Sequence, residues 1–65
     1  MTRLTISHTL STLASIAPAS RRYDKKDAKQ LFLQGEKFEF SRRFYTIKTK
    51  HIGMGVYDVW ADWLP

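Results

Sequence analysis

From residue 36 to residue 64 the chain alternates apolar and polar side chains with a period of two, and nothing else in it constrains the fold as strongly. EKFEFS sets Phe38 and Phe40 against Lys37 and Glu39. RRFYTIKTK sets Tyr45, Ile47 and Thr49 against Phe44, Thr46, Lys48 and Lys50. GVYDVWADWL sets Tyr57, Val59, Ala61 and Trp63 against Val56, Asp58, Trp60 and Asp62. Successive side chains of a strand point to opposite faces, so each stretch reads as a strand with one face for a core. Joined by short connections, the three make an antiparallel β-meander over residues 36–64.

Parity decides which sets share a face. If HIGMG turns on the three residues Ile52–Gly53–Met54, then Lys48 lies opposite Asp58, Thr46 opposite Trp60 and Phe44 opposite Asp62. On the other face Thr49 meets Tyr57, Ile47 meets Val59 and Tyr45 meets Ala61. A two-residue turn would set Tyr45 against Asp62 and mix apolar with charged groups. The expected core face is therefore Phe38, Phe40, Tyr45, Ile47, Tyr57, Val59, Ala61 and Trp63. Between the first two strands Ser41–Arg42 lacks the Gly or Asn that a primed turn favours, so a four-residue loop through Phe44 is expected.

Helices precede the meander. Over residues 24–34, Asp24 is a good N-cap, and Asp27 three residues later makes a short-armed capping box. Tyr23 can staple onto Ala28, Leu31 and Phe32 continue the Ala28 face inward, and Leu33 lies at its edge. Gly35 stands where a left-handed residue ends a helix at least cost. Residues 1–20 read as a second helical segment, capped by Ser7, with Leu10, Leu13, Ala14 and Ala17 on one face and Pro18 as its stop. TRLTI, residues 2–6, alternates instead and suits a short strand. The expectation is an α+β fold in a single small domain, its N-terminal helices packed on one face of a three-stranded meander.

A chain of 65 residues removes only about 60% of its unfolded surface from water, so the core is thin. There is no cysteine to staple it, and His8 and His51 are too few for a structural zinc site. No run approaches the roughly 20 apolar residues of a membrane span. The first 23 residues lack Asp and Glu and are rich in Ser and Thr, as transit peptides are, but Arg3 is the sole Arg before Arg21–Arg22. A cytoplasmic protein is the expectation, an organellar transit segment the alternative.

The net charge of +5 favours acidic partners. RRYDKK gathers Arg21, Arg22, Lys25 and Lys26 around a helix start, where the backbone dipole is already positive. That arrangement attracts anions, although basic side chains on a solvated linker give the same pattern. The basic strand SRRFYTIKTKH looks like a phosphate track, yet Asp58, Asp62 and Glu39 fall on its face and offset its field. Phe44 and Trp60, diagonal on that charged face, remain without a structural purpose. Two large aromatics rimmed by charge suit the centre of an interface, with helix 1 or a second copy in a homodimer as the other ways to cover them.

Catalytic patterns are missing: no Cys nucleophile, no phosphate-cradling glycine loop, no GxSxG or HExxH. Asp58 and Asp62 on one strand face stand about 13 Å apart, too far for a glycosidase pair. His51 has no evident orienting partner. The sequence thus points to a small basic non-enzymatic protein, without cofactor or metal, that associates with another protein as an adaptor or inhibitor. Phe44, Trp60, Lys48, Lys50 and the four cations of RRYDKK are its candidate contacts. The alternative is a nucleic-acid-binding module whose aromatics stack on bases beside basic clusters.

Overall fold

A computed structural model describes residues 5–65. Helix α1 (Ile6–Ser15) is followed by strand β1 (Ser20–Asp24), helix α2 (Lys25–Gln34) and strands β2 (Phe38–Phe40), β3 (Arg43–Gly53) and β4 (Val56–Trp63). The sheet has four antiparallel strands in the order β1-β4-β3-β2. The fold is α+β, with a fourth strand beyond the expected meander. β1 escapes a pattern search because Ser-Arg-Arg-Tyr-Asp is charged and barely alternates, as an edge strand can afford to be. Of the strand expected over residues 2–6, residues 2–4 lie outside the described residues, while Thr5 is the N-cap of α1 and Ile6 its first residue.

Both helices lie on one face of the sheet. Leu10, Leu13 and Ala14 of α1 and Ala28 and Leu31 of α2 meet Tyr45, Ile47, Val59 and Ala61 in a single buried cluster. Small residues in both layers, Ala14, Ala28 and Ala61, let the helices approach the sheet closely. The hydroxyls of Thr9, Thr12 and Ser15 donate to carbonyls three or four residues back, so the Ser/Thr-rich stretch satisfies its own polar groups as a helix. The cap of α1 is Thr5 rather than Ser7, and no side chain bonds there.

α2 begins as expected. The Asp27 N–H donates to Asp24 Oδ1 at 2.8 Å. Its end differs: Gly35 has φ −99°, so no left-handed turn requires glycine. The reason is proximity. A Cβ on Gly35 would collide with Ile47 Cγ1 and approach the Leu31 carbonyl to 2.7 Å. Phe32 is not turned inward either; it is 52% exposed and lines surface clefts beside Thr49 and Ile47 of β3 rather than joining the buried cluster.

The expected parity holds, but every β3–β4 pair is displaced by two residues. Lys50 faces Asp58, Lys48 faces Trp60, Thr46 faces Asp62, and on the core side Thr49 faces Val59, Ile47 faces Ala61 and Tyr45 faces Trp63. The hairpin turns on two residues, Met54 and Gly55, both at positive φ, and not on Ile52–Gly53–Met54. A two-residue turn alone would reverse the parity. A bulge between His51 and Gly53 restores it by one residue. The first hairpin is also tighter than expected: Ser41 and Arg42 form the turn, at φ 53° and 65°, without glycine or asparagine.

Trp63 leaves the expected core. It sits at the last paired row and is 54% exposed, outside the buried cluster that holds its partner Tyr45, with the Arg43 guanidinium 5.2 Å from its ring centroid. Phe38 and Phe40 are half-buried, Phe38 stacking on Tyr45 at 5.7 Å.

Candidate interaction surface

No helix of the described residues covers the second face of the sheet. Alternation brings to it Ser20 and Arg22 from β1, Asp58, Trp60 and Asp62 from β4, Phe44, Thr46, Lys48 and Lys50 from β3, and Glu39 from β2. Trp60 lies near its middle, between Ser20 on one neighbouring strand and Lys48 on the other. It is half-buried among these neighbours, less exposed than Phe44 or Trp63.

The charges next to Trp60 are already paired. Asp58 and Asp62 flank it two residues away along β4. Arg22 Nε lies 3.9 Å from Asp58 Oδ1, and Lys48 Nζ lies 3.3 Å from Asp62 Oδ2. Exposed pairs of this kind contribute only about 0–1 kcal/mol, so their effect is chiefly on local charge. They leave an apolar centre inside a neutralised rim. The ion pair to Lys48 runs diagonally, because the two-residue displacement puts Lys48 opposite Trp60 and not opposite Asp58.

The same displacement separates Phe44 from Trp60. The Leu64 N–H donates to the Phe44 carbonyl at 2.9 Å, which places Phe44 in the row beyond Thr46–Asp62. Four residues along β3 then part it from the row of Trp60, about 13 Å at the usual strand rise. Phe44 belongs to a corner instead: Lys37 Nζ lies 5.1 Å from its ring centroid, and with Arg42, Arg43, Trp63, Leu64 and Pro65 it lines a cleft of about 350 Å³.

Nor do the four cations of RRYDKK converge. Arg21 and Arg22 point to opposite faces of β1, Arg21 beside Val59 and Arg22 beside Asp58. Lys25 and Lys26 are exposed in the first turn of α2, where Asp24 and Asp27 offset them. Lys25 turns toward β3 and lines a cleft with Ala28, Lys29, Phe32, Thr49 and Tyr57. Lys48 and Lys50 share the open face, as their parity requires.

A feature that the sequence does not announce is the free edge of β3. This strand has 11 residues and its outer neighbour β2 only three, which pair with Arg43, Phe44 and Tyr45. Beyond them the Ile47 N–H donates to the Gly35 carbonyl at 2.7 Å, and past that point no strand of the described residues lies alongside. The mismatch in strand length could have been suspected from EKFEFS, half as long as the strand it joins. Among the described residues no three His, Asp or Glu side chains cluster as metal ligands, and no helix is long and apolar enough to cross a membrane. No protein-family model, curated protein or solved structure matches the chain.

Proposed function

We propose that this protein acts by binding another protein through the open face of its sheet, as a non-enzymatic adaptor or inhibitor. The observation that carries the proposal is Trp60 near the centre of an uncovered face, with both neighbouring carboxylates paired to cations. An aromatic anchor inside a rim of spent charge is where interfaces concentrate their energy, about 2 kcal/mol or more per hot spot. The mixed signs on this face, Arg22, Lys48 and Lys50 against Asp58, Asp62 and Glu39, suit a protein surface better than a phosphate backbone.

The test places a photo-crosslinking amino acid at Thr46 on the open face and, separately, at Ser11 on the solvent side of α1. A specific second protein should be captured in the native host from position 46 and not from position 11. Trp60→Ala should then weaken that partner's affinity by about 30-fold, the equivalent of one hot spot. Capture from both positions alike would contradict the proposal, as would wild-type affinity in the Trp60 variant.

A second reading has its own support. The corner around Phe44 and Trp63 joins two exposed aromatics to Lys37, Arg42 and Arg43, the combination on which unpaired bases stack. Retention on a mixed-sequence single-stranded oligonucleotide at about 150 mM salt would favour it. Elution with neutral control proteins would remove it.

A further inference from the structure

We infer that the free edge of β3 takes up one extended, acidic segment of the partner as an added antiparallel strand. The inference rests on the protein-binding reading and names the form in which the partner arrives.

Strand residues present both backbone groups to one side, and the side alternates along the strand. Ile47 directs its N–H away from β4, toward Gly35, whereas Phe44 directs its carbonyl toward β4 and Leu64. Thr49 and His51 therefore share the outward orientation of Ile47. Their N–H and C=O groups face the side of β3 where no described strand lies. An incoming strand completes hydrogen bonds that the fold has left open, and no conformational change is needed to expose them.

The flanks of this edge specify what enters. On the helical side, Lys25, Ala28, Lys29, Phe32, Thr49 and Tyr57 enclose a cleft of about 220 Å³, large enough for one aliphatic side chain. Phe32, half-exposed there, gains a neighbour when the cleft fills. On the open side, the residues next along β3 are Lys48, whose ammonium already meets Asp62, and Lys50, both exposed. An added strand thus turns an apolar residue toward the cleft opposite Thr49 and meets lysines on its other face. Alternating aliphatic and acidic residues fit both flanks at once.

Those lysines also disfavour a second copy of this chain as the occupant. Two β3 edges can pair antiparallel only by matching outward residues with outward residues. Thr49 against Thr49 sets Lys48 opposite Lys50, Ile47 against Thr49 sets Lys48 opposite Lys48, and Thr49 against His51 sets Lys50 opposite Lys50. Like charges directly opposite destabilise a ladder, so each of these registers is penalised while an acidic strand is favoured.

The probe is a blocked nine-residue peptide alternating Glu and Val, added to the full chain labelled for amide NMR. The expected result is saturable binding, with slowed hydrogen exchange at the Thr49 and His51 amides. Lys48→Glu/Lys50→Glu should weaken binding at least tenfold while its amide spectrum stays that of the folded protein. N-methylating the Val nitrogens, which face β3 in antiparallel pairing, should abolish binding, and N-methylating the Glu nitrogens should not. Absence of binding at millimolar peptide, binding without protection of Thr49 and His51, or indifference to N-methylation would each overturn the inference. So would concentration-dependent protection of these amides without peptide, which would mean self-pairing. None of these outcomes touches the Trp60 proposal, which is decided by the cross-linking, affinity and stability of the Trp60 variant.

Discussion

Gly35 is held by contact rather than by conformation. Its φ of −99° suits any residue, but a methyl group there meets Ile47 Cγ1 and the Leu31 carbonyl, neither at the end of a flexible side chain. Gly35→Ala should therefore destabilise by about 1–3 kcal/mol, the usual range for overpacking a filled site, measurable as a lower urea midpoint. The tryptophans divide by position. Trp63, at the end of the sheet under Arg43, should lose less than about 1 kcal/mol on truncation to Ala, as surface changes do. Fully buried Ile47→Ala should lose about 2–5 kcal/mol in the same assay. A Trp63→Ala variant as unstable as Ile47→Ala would put that indole back in the core. The sequence shows which face Trp63 belongs to, because alternation is local. It does not show where the helices stop covering that face.

At the scale of elements, one turn carries a conformation that neither of its residues favours. Ser41 and Arg42 both occupy positive φ, a region that costs ordinary residues roughly 1–2 kcal/mol each and that Asn-Gly adopts readily. Ser41→Asn/Arg42→Gly should raise the urea midpoint without changing its slope; a lowered midpoint would mean that Arg42 makes contacts worth more than the strain. Conversely, Asp24→Ala removes the oxygen that accepts the Asp27 N–H and should cost about 1 kcal/mol. These elements also show what alternation conveys. It assigns faces by odd and even positions, and Tyr45, Ile47, Val59 and Ala61 are buried as it requires. A displacement of two residues leaves parity untouched, so the bulge at His51–Gly53 and the change of every cross-strand partner were invisible to it. β1 was hidden for a different reason: its residues are chosen for a solvated edge, and only β4 holds them in a strand.

The whole molecule is a two-layer structure with one layer's outer surface uncovered by its own described elements. That asymmetry turns a net charge of +5 from a general attraction into located chemistry. The open face is nearly balanced in sign around Trp60, where Lys48 is paired to Asp62, while Lys25 and Lys29 border the β3 edge on the helical side and Lys50 on the other. Of the candidate contacts legible in the sequence, Trp60, Lys48 and Lys50 share this surface. Phe44 belongs to a separate corner, and the RRYDKK cations are dispersed over β1 and α2. Their dispersal follows from β1 itself, since strand alternation sends Arg21 and Arg22 to opposite faces where a helix start would have grouped them. Lys25→Gln/Lys26→Gln should accordingly leave the melting temperature unchanged or slightly raised, because two cations leave the positive end of a helix dipole. A marked fall would assign them a structural part. The claim that binds these observations is that Trp60 serves a partner more than it serves the fold. The most direct measurement is the affinity of Trp60→Ala for the protein cross-linked from position 46, taken beside its urea midpoint. Binding weaker by about 30-fold, one hot spot, is expected together with a stability loss of about 1 kcal/mol, well short of that from a core truncation. Full affinity in a folded Trp60→Ala protein, or a loss of stability equal to that of Ile47→Ala, would contradict it.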